Sequence, residues 1–345
     1  MRTLLAIALF LTSSLSLKAE ISADGLPEGA AVLLHFSNTS LAQTQLGEVI
    51  QQSFADKTFS IPEAKAIEEN LGFNPLQDLK EVVAGLYRVN NATVNKTKVV
   101  ILLRGKFSLK KLASFSEKTS AICSPIESYS SWDMAEVVAA INRESPSKAD
   151  RGKLILVAFA DDCLFLASPE LIKPTLACLQ KKTTSYSTPL AISALNLAND
   201  KPWLVFYTDF SKIKAKGFLG EMGDKGMHQT LITINESGRN IQLRGESEFT
   251  TPEQAEAATQ EFKKMIKVTS LILMSQKFTF TKANASDSHL LELLNSLTVS
   301  RVGYLTKISG NVPTVKAAQA IRAMALENQN EKTSRTAVSG ASPSE

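Results

Sequence analysis

Between Leu154 and Ala167 the chain runs apolar, reverses over Asp161-Asp162 and runs apolar again, and Ser168-Pro169-Glu170 follows at once. Two such runs joined by two turn-forming residues specify an antiparallel hairpin. A hydroxyl, a proline and an acid in that order open a helix. Proline has no N–H to lose in the first turn, and the acid faces the positive end. A hairpin followed directly by a capped helix commits the chain to antiparallel sheet with helices laid across it.

The pattern recurs. Val82 to Val89 and Lys98 to Leu103 read as strands around the polar loop Asn90 to Thr97, and Ser108 then caps a helix carrying Leu109, Leu112 and Phe115. Thr230 to Ile234 and Asn240 to Gly245 flank Glu236-Ser237-Gly238, and Thr251-Pro252-Glu253 opens a helix through Ala255, Ala258, Phe262, Met265 and Ile266. Ala31 to Phe36 and Trp203 to Tyr207 are apolar strand runs, and Leu46, Val49, Ile50 and Phe54 fall at helical spacing. Further elements are expected as a short helix from Pro62 to Leu71, a strand from Met134 to Ile141 and a polar loop from Asn142 to Gly152. A helix from Asp287 to Leu297, two strands broken by Gly303 and a last helix from Pro313 complete the reading.

Leu102-Leu103-Arg104-Gly105 recurs as Gln242-Leu243-Arg244-Gly245, each followed by a phenylalanine and a capped helix. The expected fold class is therefore α+β. It comprises two diverged α/β units, mostly antiparallel sheets with helices packed on one face. The first unit spans 20–183, the second 184–326, and the polar stretch 327–345 reads as a disordered tail.

Residues 1–19 carry the compartment signal. Arg2 precedes the unbroken apolar run Leu4 to Leu11, and hydroxyls and a small residue at Ala19 follow, the layout of a cleavable secretory signal. A spanning helix needs roughly 20 apolar residues, and this run falls short. The expectation is export to the periplasm or the cell exterior, with no transmembrane segment after cleavage. The whole chain has 38 basic and 34 acidic residues, and the leader removes Arg2 and Lys18, so the remainder is nearly neutral. That balance, with no basic stripe interleaved with aromatics, gives no argument for nucleic acid.

The three cysteines are Cys123, Cys163 and Cys178. From Cys163 to the end of its strand is roughly 17 Å at about 3.3 Å per residue. The following helix returns roughly 15 Å to Cys178 at about 1.5 Å per residue. The two sulfurs come level, which makes Cys163–Cys178 the candidate disulfide.

Other chemistry finds little purchase. His35, His228 and His289 are far apart and lack helical zinc spacing, so no metal site is expected. Asp161-Asp162 suits a hairpin turn better than calcium, which needs more oxygens than the turn offers. Gly217 to Gly226, with a glycine every third residue, lacks the order of a nucleotide loop and reads as a flexible loop, so no cofactor is expected. No Gly-x-Ser-x-Gly elbow is present. Ser108-Leu109-Lys110-Lys111 and Ser145-Pro146-Ser147-Lys148 match Ser-x-x-Lys without companion motifs, so no catalytic residue is assigned.

The opening Leu26-Pro27-Glu28-Gly29-Ala30-Ala31-Val32 resembles the mature start of uncharacterised exported bacterial proteins built from repeated α/β units. Leu294-Asn295-Ser296-Leu297-Thr298-Val299 and Leu305-Thr306-Lys307-Ile308-Ser309-Gly310 resemble their final hairpin and helix. The resemblance implies export and architecture and brings no catalytic residues. The sequence thus leads to a non-enzymatic envelope protein that binds or supports an unknown macromolecular partner. An exported hydrolase whose site forms only in three dimensions, and a periplasmic carrier of lipid or another apolar ligand, are the alternatives.

Overall fold

The computed structural model describes residues 25–55, 68–69, 72–74, 77–87, 98–118, 123–142, 153–183, 202–213, 218–279, 291–292 and 294–319. The leader, the loop at 90–97, the junction near 184, His289 and the tail from 327 lie outside these residues. Among the described residues the fold is α+β, one sheet of 12 strands with helices against it.

In chain order the strands are β1 (Val32–Ser37), β2 (Leu79–Tyr87), β3 (Lys98–Gly105), β4 (Cys123–Ile126), β5 (Tyr129–Asp133), β6 (Ile155–Ala160) and β7 (Cys163–Ala167). Then come β8 (Leu204–Asp209), β9 (Met227–Ser237), β10 (Asn240–Phe249), β11 (Thr298–Val302) and β12 (Leu305–Pro313). Across the sheet the order is β11-β12-β10-β9-β8-β1-β2-β3-β7-β6-β5-β4. The first strand of each half of the chain therefore meets at the centre, β1 against β8, and both halves build outward from that seam. At the outer edges lie β4, which carries Pro125, and β11, which carries no proline.

The helices are α1 (Asn38–Ala42), α2 (Gln45–Ala55), α3 (Leu109–Lys118), α4 (Met134–Asn142), α5 (Pro169–Leu179), α6 (Phe218–Asp224) and α7 (Pro252–Thr279). A last helix, α8, covers 314–319. Strand alternation sorts the core onto two faces. Phe36, Val82, Leu156 and Leu164 pack with Leu46 and Ile50 of α2, Leu112 and Phe115 of α3 and Val137 of α4. On the opposite face Leu33, Val83, Leu102, Phe165 and Tyr207 pack with Ile172 and Leu176 of α5. Ala255 of α7 joins Val32, Phe210, Met227 and Phe249 in a third cluster.

Capping follows the sequence with one exchange of role. Thr251 Oγ1 accepts from Gln254 N at 3.2 Å while Gln254 Oε1 accepts from Thr251 N at 3.1 Å, a reciprocal box at the start of α7. Ser168 does not cap α5. Its hydroxyl instead accepts the Val99 N–H at 3.0 Å, closing the sheet. Glu170 in the first turn of α5 pairs with Lys98 at 2.7 Å, and that ammonium holds its carboxyl below the usual range. Glu236 of β9 reaches across the seam. Its carboxylate accepts the N–H groups of Gln45 and Leu46 at 3.3 and 3.2 Å, capping α2, and the Thr314 hydroxyl at 3.0 Å.

Two expected elements change type. Met134 to Ile141 is the helix α4, because Asp133 Oδ1 accepts the Ala135 N–H at 3.0 Å and the alanine-rich segment winds on from that cap. The glycine-rich stretch from Gly217 includes the helix α6, which rests on Phe210. The hairpin β4–β5 was not legible, since Ser124, Pro125, Ser128 and Ser130 break any apolar alternation.

Leu102 is fully buried between β2 and β7 at the heart of the first half. Leu102→Ala is expected to cost about 2–5 kcal/mol, read as a lower urea midpoint with an unchanged slope.

Candidate functional site

Chemistry-bearing side chains gather in two places, a buried polar row on the α5 face of the sheet and an apolar cleft between α6 and α7.

The row crosses three strands. His35 Nε2 lies 2.7 Å from Glu81 Oε1, and Arg104 Nε lies 3.5 Å from Glu81 Oε2. In the next strand Cys163 is the register partner of Arg104. His35 is 1% exposed and its Nδ1 has no hydrogen-bond partner. Inside its apolar strand His35 reads from sequence as a hydrogen-bonded interior residue, but nothing in the spacing of residues 35, 81, 104 and 163 announces their meeting. Only the register of four neighbouring strands brings them together.

A second row stands on the other side of the seam. Ser37 caps α1 at the end of β1, and Asp209 caps the 3-10 turn Phe210–Lys212 at the end of β8. With those caps set equivalent, Ser37 opposes Glu81 as Asp209 opposes Gln229, and Glu81 opposes Arg104 as Gln229 opposes Glu248. His35 then corresponds to Tyr207. The Tyr207 hydroxyl donates to Gln229 Oε1 at 3.0 Å, and Gln229 Nε2 donates to Glu248 Oε2. Backbone contacts agree: Gly105 N donates to Asp162 O as Phe249 N donates to Tyr304 O, at 3.0 Å each. In this correspondence Gly105 matches Phe249 rather than Gly245. The two Leu-Arg-Gly quartets are thus out of step with the equivalence that the topology sets.

Cys163 and Cys178 are both buried, and the bridge expected between them is not formed in this structure. Each is engaged elsewhere: Cys163 sits beside Arg104, and Cys178 Sγ lies 3.3 Å from Thr183 Oγ1. Burial pushes the Cys163 thiol up to about 11 from 9.0, against a smaller opposite pull from Arg104. It is therefore a poor nucleophile at neutral pH. His228 bonds Thr250 Oγ1 at 3.0 Å near the start of α7, far in register from His35. Asp161 and Asp162 form the β6–β7 turn, their carbonyls accepting the Phe107 and Gly105 N–H groups at 2.9 and 3.0 Å. Among the described residues no group of histidine, cysteine and acid could hold a metal.

The cleft is different in kind. A cavity of about 490 Å³ opens between α6 and α7, lined by Met222, Phe249, Ala258, Phe262 and Met265 with Glu221, Lys225 and Glu261 among its polar members. Strand alternation puts Phe249 on the helix side while its neighbour Glu248 stays in the polar row. Gly226 closes the end of α6 at φ +84, where a Cβ would run into the Gln254 side chain. Glycine thus lets the chain pass against the cap of α7. In the first half the described residues between α2 and α3 pack against one another. Phe73 and Phe107 meet edge to face at 5.2 Å among Leu46, Ile50, Leu112 and Phe115. Sequence reasoning missed the cleft because its apolar residues look the same as core residues.

No protein-family model and no curated protein matches the chain. Among solved structures, crystal form I of TP0453 is similar at 10% identity and a TM-score of 0.43, covering 89% of this chain and 98% of that one. Crystal form IV gives 10% identity and a TM-score of 0.44, over 88% and 97%. A likeness at that level says nothing about chemistry. Among the described residues no helix is long and apolar enough to cross a membrane.

A thiol raised by burial stabilises the fold below its unfolded value, and that contribution is lost as pH climbs through the folded one. Cys163→Ala should therefore flatten the loss of stability between 9.0 and about 11, measured as urea midpoints across that range. Glu81→Leu leaves both His35 and Arg104 without their shared acceptor. It should lower stability by about 1–3 kcal/mol or more, with the loss reduced when His35→Leu is added.

Proposed function

We propose that this is an exported, non-enzymatic binding protein of the cell envelope, built from a duplicated α/β unit whose second copy holds an apolar ligand between α6 and α7. The observation that carries the reading is the contrast between the halves. The described part of the first half packs Phe73, Phe107 and Phe115 beneath its helix, while the second holds a cavity of about 490 Å³ walled by phenylalanine and methionine. Cavities of roughly 300–1,000 Å³ with mainly apolar walls and a few polar groups are the usual form of a small-molecule site. Methionine walls adapt to irregular apolar shapes, which suits a flexible chain. The leader read at 1–19 and the resemblance to exported repeat proteins support the envelope setting.

The hydrolase alternative draws no support from the polar rows. A catalytic group must touch its substrate, and His35 at 1% exposure and Cys163 at 8% are shut inside the sheet.

Mature protein titrated with a fluorescent alkyl probe should bind saturably at about one site. Ala258→Trp, which fills the cleft, should weaken binding by at least about tenfold (roughly 1.4 kcal/mol) without lowering the melting temperature. Absence of saturable binding by the wild type, or undiminished binding by the variant, would sink the reading.

A further inference from the structure

We infer that the ligand of the α6–α7 cleft carries a cationic end, so that the site takes a long-chain ammonium in preference to a carboxylate of the same length. The inference rests on the reading of the cleft as an apolar site and adds the chemistry of the ligand's polar end.

Two features converge on it. The walls present the rings of Phe249 and Phe262 and the thioethers of Met222 and Met265. An aromatic face is electron-rich and attracts an ammonium while giving a carboxylate nothing. The charged groups of the lining are Glu221, Lys225 and Glu261. Lys225 Nζ donates to both carboxylate oxygens of Glu261, at 2.8 and 2.9 Å, so the one cation of the lining is already matched. Glu221, one helical turn before Lys225, leaves the lining with an excess of one negative charge.

The two kinds of head group then face different exchanges. An ammonium can settle against Glu221 and an aromatic face with the Lys225–Glu261 pair intact. A carboxylate must either lie beside Glu221 or take Lys225 from Glu261, and the second course leaves two acids uncompensated at the mouth. The pair is half-exposed, at 50% and 57%, so opening it is cheap and access is not barred. What differs is the charge the ligand meets inside.

The test compares dodecylamine with laurate, both below micelle formation, by calorimetric titration of the mature chain at low salt. The amine should bind tighter by about 3–10-fold, the scale of one half-exposed charge and one cation–π contact. Glu221→Gln should bring the two affinities towards parity by weakening the amine, and high salt should do the same in the wild type. Equal or tighter binding of laurate would overturn the inference, as would a preference unchanged in Glu221→Gln, with the apolar reading of the cleft left standing. Failure of both compounds to bind, or binding of both undiminished by Ala258→Trp, would overturn that reading as well.

Discussion

The antiparallel pairing of β1 with β8, running from Val32 against Thr208 to Phe36 against Leu204, joins strands whose other partners all lie within their own half of the chain. Without it there would be two smaller sheets, each with a raw edge of apolar backbone. With it the two faces are continuous, and Leu33 can share a core with Tyr207. The seam also sets the correspondence between the polar rows. The caps at Ser37 and Asp209 end the two central strands, and the register steps outward equally on both sides. Glu236 then reaches over the seam to cap α2, so the helices of one half lean on a strand of the other.

The two halves of the sheet differ beneath their helices. Beneath α3 the described side chains meet in an edge-to-face pair of phenylalanines within the core. Beneath α7 the side chains of Met222, Phe249, Phe262 and Met265 wall an open space instead. The polar rows tie neighbouring strands together from within the sheet, with Arg104 still part-exposed at 30%.

Much of the fold was legible because it is written locally. Alternation and turn residues gave the β6–β7 and β9–β10 hairpins, and proline with its flanking cap gave the starts of α5 and α7. The misreadings arose where local signals were ambiguous. Met134 to Ile141 is apolar enough for either structure, and only the bond from Asp133 to Ala135 decides for helix. Glycines in α6 argued for a loop, yet packing on Phe210 overrode their propensity. The cleft was illegible for another reason. Phe249, Phe262 and Met265 follow the same helix and strand periodicities as core residues, and whether such residues enclose one another or a void is decided by elements far away in sequence. The meeting of His35, Glu81 and Arg104 is likewise a product of register alone.

The two margins of the sheet are chemically unlike. At β4, Pro125 offers no amide hydrogen and stiffens the backbone, so a further strand docking there would lose part of its ladder. At β11 the margin is free of proline and its side chains are mostly exposed. Molecules that met along these margins could therefore zip together on one side only.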